Sequence, residues 1–444
     1  MSQRRVVITG MGWETPLGFD IAGVWDKLLS GTSAIGPCER FDARTFPTNF
    51  VAEIKDFDLA ARIGAARVAY HEGAGTHTRY ALSAATRAWA MSGLAEYTGL
   101  DRGRVGVYLG AGEGPPDSLA FMRTHVEGWD AEKRDLDYAR WVEAARHHLS
   151  LAGELEQEPD SVIPHIAEEF GLEGPSFNCM TACAASTQSV GEAFEMIRRG
   201  DVDAMMAGGT HSMIHPLGMS GFIRLTAMST RRDDPATASR PFDVTRDGFV
   251  MGEGAGIVIL EELEHAKARG AEILAELGGF GSTCDAYRIT DIKPDGGGAQ
   301  EAMRRACAQA GIDPTKPGDD GRPPIHYISA HGTGTPENDG IETRAVKGVF
   351  GELAGKVPFS SVKSMLGHLI QAAGTVEMMT CVQAIRTGWL PPTINLHNPD
   401  PRCDLDYIPN EPRDLREQGV EVCLSNGFGF GGQNDCVCVK KFAG

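Results

Sequence analysis

Six short, almost continuously apolar runs, separated by stretches of helical spacing, constrain the fold of this chain most. They are residues 5–10 (RVVITG), 105–111 (VGVYLGA), 203–208 (DAMMAG), 257–260 (IVIL), 326–330 (HYISA) and 435–440 (DCVCVK). Apolar along their length rather than alternating, such runs predict strands buried on both faces. Residues 84–93 and 184–200 carry Ala, Ser and Met at helical spacing, and residues 300–311 do much the same and end at a glycine. Strands alternating with helices predict a layered α/β fold. At 444 residues the chain is two or three average domains or one large duplicated α/β unit, and 42% hydrophobic residues supply its core.

A formal net charge of -18 without any Lys/Arg-rich run argues against nucleic acid as a partner. Ten cysteines without a CxxC predict free thiols in a reducing, cytoplasmic setting. The absence of CxxC and HExxH spacing also argues against a metal site. The opening MSQRRVVITGMG enters a strand with no long apolar stretch, so no signal peptide is expected, and no run of apolar residues is long enough to span a membrane. The 55 glycines gather after strands, but no cluster has the strand–GxGxxG–helix form of a dinucleotide site. Residues 117–161, rich in charge and Trp, read as an insertion of one or two amphipathic surface helices.

Four segments carry candidate chemistry. In SFNCMTACAAST, Cys183 sits where a strand gives way to a small-residue helix. Free N–H groups at that junction would favour a thiolate. The alternative is a small buried hydrophobe, as most free cysteines are. Cys179 reads as a strand cysteine. In HGTGTPENDGIE, His331 follows an apolar strand, Thr333 and Thr335 flank a glycine, and Asp339 and Glu342 lie a helical turn apart. An exposed polar turn with a helix cap explains that segment about as well. In KSMLGHLIQAAG, Lys363 and His368 bracket a glycine turn; Asp339 or Glu342 is the expected partner for the lysine. In SNGFGFGG, Phe428 and Phe430 serve either as a mobile lid or, more often in such loops, as core anchors. A papain-like hydrolase needs one His and leaves the other His and the lysine unexplained.

In this order the segments resemble the β-ketoacyl-acyl-carrier-protein synthases of the thiolase-like superfamily, closest to the elongating type. The likeness runs from VVITGMG through SRPFDVTRDGFVMGEGAGIVILEELEHAKARGA and PPTINLHNPDP to SNGFGFGG. It implies a five-layered αβαβα fold of two similar halves, 1–262 and 263–444, usually as a homodimer. It implies that Cys183 accepts an acyl chain, that His331 and His368 are the two active-site histidines, and that Lys363 orders them with Glu342 as its charge partner. Phe430, beside Phe428, falls on the gate, and its backbone N–H joins that of Cys183 in an oxyanion hole. Thr333 and Thr335 match hydroxyls that hold the phosphopantetheine arm of an acyl carrier protein. Thr290, Phe222 and Glu113 fall at substrate-contacting positions. The implied reaction is decarboxylative Claisen condensation with a malonyl thioester, in fatty-acid, specialised lipid or polyketide synthesis, without metal or redox cofactor. Alternatives are a subunit requiring a chain-length-setting partner in a heterodimer, and a non-decarboxylating acyltransferase of the same fold. The His331/His368 pair argues against the last, and retention of Cys183 against an inert subunit.

Three features depart from the family pattern. The 117–161 segment is longer and more charged. Glu113 stands where an apolar pocket residue is usual, and a carboxylate in an acyl tunnel is costly, so a shortened, redirected or polar pocket is expected. The basic carrier-docking surface is thin: only Arg62, Arg67 and Arg79 remain there. Thr226 replaces a common arginine, with Arg224 close by. A carrier other than the usual acidic one is expected.

Overall fold

The computed structural model describes residues 4–444; residues 1–3, the start of the opening segment read above, lie outside the described residues. Ten strands form the main sheet: β1 (Val6–Glu14), β2 (Val105–Ala111), β3 (Ser176–Cys179), β4 (Ala204–His211), β5 (Gly254–Glu262), β6 (Ala275–Cys284), β7 (Tyr327–Ser329), β8 (Phe359–Ser360), β9 (Val422–Gly429) and β10 (Gln433–Lys440). Their spatial order is β8-β7-β9-β10-β6-β1-β5-β4-β2-β3. The first five strands lie in the order 1-5-4-2-3, and the second five repeat it as 6-10-9-7-8. Pairing repeats too. β1–β5 and β5–β4 are antiparallel and β4–β2 and β2–β3 parallel; β6–β10 and β10–β9 are antiparallel and β9–β7 and β7–β8 parallel. An antiparallel β1–β6 pair joins the two units.

Helices α1 (Thr76–Ser92) and α5 (Val162–Phe170) cover the outer face of the first unit, and α7 (Gly297–Gln309), with α8 (Asn338–Phe350) beside it, that of the second. Between the units lie α6 (Ala185–Arg199) and α9 (Ala373–Thr387), which pack on each other and on strands of both. The result is the expected αβαβα layering. Side-chain alternation explains why the strand runs read as uniformly apolar. On β5, Ile257 and Ile259 enter the outer core while Val258 and Leu260 enter the central one. On β10, Cys436 and Cys438 face the second outer core and Val437 and Val439 the centre.

The charged insertion forms three helices rather than one or two: α2 (Ser118–Gly128), α3 (Tyr138–His148) and α4 (Leu151–Leu155). Asp117 caps α2 and Asp137 caps α3 through their first backbone N–H groups. Apolar side chains project from it into solvent, with Val126 74% and Leu151 79% exposed. Phe177 and Met180, on and just beyond the edge strand β3, are exposed as well.

Candidate active site

The parallel arrangement sends β2, β3 and β4 towards one rim of the first unit and β7 and β8 towards the matching rim of the second. Cys183 follows β3 in a tight turn that opens α6, with Ala182 at φ +49° just before it. Helix α6 can approach because β2 carries Gly110: a Cβ there would come within 2.4 Å of the Ala185 carbonyl carbon. Cys179 ends β3, as expected.

Cys183, His331, His368, Thr333, Thr335, Phe222, Phe428 and Phe430 line one cavity, together with Phe249, Ile292, Asn338 and Gly429. Its empty volume is about 400 Å³. The His331 and His368 rings meet edge to face, centroids 5.4 Å apart, and Phe249 and Phe428 flank them. Thr290 lies outside this cavity, on the adjoining mouth with Thr226, Thr335 and Phe430. Thr333 and Thr335 share a hydroxyl contact of 3.0 Å, and Thr335 Oγ1 accepts from the Asn338 N–H.

Burial, reinforced by the Lys363 charge, holds both imidazoles well below the ordinary histidine range, so both are neutral. His368 Nδ1 accepts from the Ile370 N–H at 3.3 Å, which places the ring proton on Nε2. That Nε2 and His331 Nδ1 are buried without a hydrogen-bond partner.

The Cys183 thiol departs from the thiolate expectation. Burial pushes it up to about 12, outweighing the Lys363 charge and the backbone N–H groups of Phe430 and Cys183, which pull the other way. The resting group is a thiol. The Lys363 partner also differs from the expected one. Lys363 Nζ pairs with Glu377 on α9, both 2% exposed, and burial lifts the Glu377 carboxyl to about 7 despite the ammonium. Glu342 is engaged elsewhere: its two oxygens accept from His331 N–H and Gly332 N–H at 2.8 Å each, and from Asn426 Nδ2 at 3.1 Å. Asp339 caps Phe242 N–H at 2.8 Å and faces Arg246. Glu342 and Asp339 thus hold the backbone of the His331 loop, through His331, Gly332 and Gly334, and leave the lysine to Glu377.

Two other expectations are corrected. Glu113 is exposed and does not line the Cys183 cavity, so it bears no desolvation penalty. The SNGFGFGG segment is mostly strand: Phe428, which lines the cavity, is a buried residue of β9 anchored in the second outer core, whereas Phe430, half-buried in the turn after β9, borders the cavity where a gate would. Of the three arginines on the thin basic surface, Arg62 stacks 3.6 Å from the Phe19 centroid and faces Glu14, and Arg67 pairs with Glu169; Arg79 is exposed. Sequence reasoning missed Glu377, Asn338, Asn426 and Phe249. For Glu377 a signal existed, an acid on an otherwise uncharged helical stretch until Arg386.

Comparison with known proteins follows the same outline. Models of the beta-ketoacyl synthase N-terminal and C-terminal domains match residues 3–266 and 274–397. The 3-oxoacyl-[acyl-carrier-protein] synthase 2 of Coxiella burnetii is 40% identical over 449 residues, 99% of each chain. That of Synechocystis is 41% identical over 442 residues, covering 100% of this chain and 99% of the relative. Among solved structures, a beta-ketoacyl synthase from Burkholderia phymatum superposes with a TM-score of 0.85 at 31% identity, over 99% of this chain and 100% of the other. A type II polyketide ketosynthase in complex with its acyl-carrier protein superposes at 0.83 and 31% identity, over 99% and 100%. By fold, by sequence along its whole length and by the residues gathered around Cys183, this chain belongs to the beta-ketoacyl synthase family, acyltransferases on a thiolase-like fold.

Proposed function

We propose that the chain is an elongating 3-oxoacyl-acyl-carrier-protein synthase with Cys183 as nucleophile, in fatty-acid or specialised lipid and polyketide synthesis. The observation that carries this reading is the convergence of a buried thiol, two neutral histidines and the Phe430 backbone on one largely apolar cavity. Cys183 Sγ attacks the thioester of an acyl carrier; the S–acyl bond forms, the carrier thiol leaves, and the thiol proton passes to it. A malonyl thioester then loses CO2, and its two bonding electrons become an enolate. The His368 Nε2–H, free of any other partner, and the His331 ring donate to the enolate oxygen. The enolate carbon attacks the Cys183 thioester, the Cys183 and Phe430 N–H groups hold the tetrahedral oxygen, and collapse expels the Cys183 sulfur as a thiolate, which takes a proton from solvent to restore the thiol. Burial, reinforced by the Lys363 charge, keeps both rings unprotonated, and Glu377 partners the buried lysine. Each step is redox-neutral and asks for no redox cofactor, and the ring N–H groups supply the stabilisation of the enolate oxygen; the phosphopantetheine arm arrives on the carrier, past Thr290 to the Thr333 and Thr335 hydroxyls.

The exposed apolar side chains of 117–161 and of the β3 edge support a homodimer through that face. All ten cysteines are unpaired, which supports a reducing, cytoplasmic setting, and among the described residues no helix is long and apolar enough to cross a membrane. We place the boundary between the halves at 262/263. The test is condensation with acyl and malonyl carrier proteins, followed by CO2 release. His331→Ala and His368→Ala should retain Cys183 acylation and lose condensation at least 100-fold. Condensation within threefold of wild type in both would overturn the roles assigned to the rings.

A further inference from the structure

The ends of the parallel strands β2, β3 and β4 hold more than the nucleophile. Ligands of parallel sheets gather beyond the carboxyl ends of the strands. Beyond β2 come Gly112, Glu113 and Gly114; beyond β3 comes Cys183; and β4 ends on His211. Here three side chains keep polar atoms that are buried and without any hydrogen-bond partner: His77 Nδ1, His211 Nε2 and Gln371 Oε1. Their residues are only 1, 3 and 8% exposed.

The three are neighbours. The Gln371 amide lies against Gly112, where a Cβ would come within 2.4 Å of Nε2, and the His77 ring lies against Gly114, where a Cβ would come within 2.7 Å of Cε1. Thr210 Oγ1, next to His211, donates to the His77 carbonyl at 2.6 Å. The Gln371 amide oxygen interacts with the His211 ring and favours its protonated form, but the contact falls short of a formed hydrogen bond, so Gln371 Oε1 and His211 Nε2 stay open to a better-placed partner. The group adjoins the Cys183 cavity: Ile370, which precedes Gln371, packs in one apolar cluster with Cys183, Met213 and Phe249, and His211 and His368 lie within electrostatic range.

Apart from the His331/His368 pair, whose free nitrogens serve the reaction, other histidines among the described residues lack this feature. His215 Nδ1 accepts from the Gly218 N–H, and His71, His165 and Glu156 form a closed chain of hydrogen bonds at 2.9 Å each. Buried polar atoms are as a rule partnered, so three orphans together beside a reactive thiol point to a guest that partners them. A saturated acyl chain has nothing to offer these atoms. A hydroxyl donates to Gln371 Oε1 and accepts from a ring N–H at once.

We propose that His77, His211 and Gln371 form a polar subsite for a hydroxyl on the acyl chain, which makes the enzyme selective for hydroxylated over saturated acyl donors. The proposal rests on the reading of Cys183 as the acyl acceptor. The test is the time course of Cys183 acylation by intact mass, using the full chain with octanoyl and 3- to 7-hydroxyoctanoyl N-acetylcysteamine thioesters. Wild type is compared with Gln371→Leu and His211→Phe. For at least one hydroxyl position, wild type should acylate more than tenfold faster than with octanoyl, because a site built to bond a hydroxyl rejects the analogue without it. Each variant should bring that ratio close to one. Equal or faster loading of octanoyl by wild type, as expected if only an enclosed water partners these atoms, would overturn the subsite and leave the condensing role intact; so would an unchanged ratio in both variants. Failure of every thioester to label Cys183 would overturn both readings. Should a variant fail to fold, the wild-type ratio alone decides.

Discussion

Replacing Glu377 by Ala strips from Lys363, an ammonium group that is 2% exposed, its one acidic hydrogen-bond partner among the described residues. Loss of one member of a buried ion pair typically costs about 3–5 kcal/mol, because the other charge stays desolvated and unpaired. Unfolding entropy near 60 °C is about 2.1 cal/mol/K per residue, so a 444-residue chain unfolding as one unit has about 0.9 kcal/mol/K. A continuous ten-stranded sheet favours such cooperative behaviour. The melting temperature of Glu377→Ala should therefore fall by about 3–5 °C. The double variant Lys363→Met/Glu377→Leu removes both charges and fills the space, and should recover at least half of that loss. Differential scanning calorimetry at one fixed scan rate and pH 7.5 measures both. A Glu377→Ala melting temperature within 1 °C of wild type would refute the reasoning, since it would mean that the lysine is not held as half of a desolvated pair. In the double variant the rings also lose the Lys363 charge. Its condensation should then fail at a higher pH than wild type on acidification, because both histidines gain proton affinity.

Because burial holds the Cys183 thiol near 12, its alkylation by iodoacetamide should quicken about tenfold per pH unit between pH 7 and 9; a plateau beginning near pH 7 would show a resting thiolate instead. Acid should destabilise the fold in a defined window. Burial lowers His77 to about 4 and His211 to about 3, and holds His331 and His368 well below 6.5. The unfolded chain therefore binds more protons between about pH 6.5 and 4, so stability falls as pH drops through that range, by up to about 1.4 kcal/mol per unit per ring. The drop in melting temperature from pH 7 to 5 should be smaller in His211→Phe than in wild type, and an equal drop would contradict this. Glu342→Ala should leave the His331 and Gly332 N–H groups without their acceptor at a cost of about 1–3 kcal/mol. It should slow condensation more than Cys183 acylation; equal slowing of the two steps would argue that Glu342 does not position the His331 loop.

Cys183 and His331 were legible as candidates because each follows a strand, and His368 because it brackets a glycine turn with Lys363; it was the resemblance, not any one segment, that joined them into one site. What remained hidden has physical reasons. β6 reads as AELGGFGSTC, poor in β-branched residues, and so carries little strand signal. Its glycines serve packing rather than turning: a Cβ at Gly279 or Gly281 would come within 2.1 or 2.0 Å of the Ala306 or Ala302 carbonyl oxygen on α7. Glu342 stood closer to the reactive motifs than Glu377, but its carboxylate is engaged by two backbone amides, a fact that spacing does not reveal. The thiolate expectation weighed the helix N-terminus and not desolvation, which is the larger effect at Cys183. Glu113 falls at a pocket position only through the resemblance, and the turn after β2 leaves it exposed, which the order of residues does not reveal.

The most direct test of the central claim is the intact mass of the protein after incubation with a panel of acyl thioesters, wild type against Cys183→Ala. The account predicts one acyl adduct per chain, localised by peptide mapping to Cys183 and absent from the variant. An adduct that persists in Cys183→Ala, or one that maps to Cys38 or Cys284 instead, would contradict it.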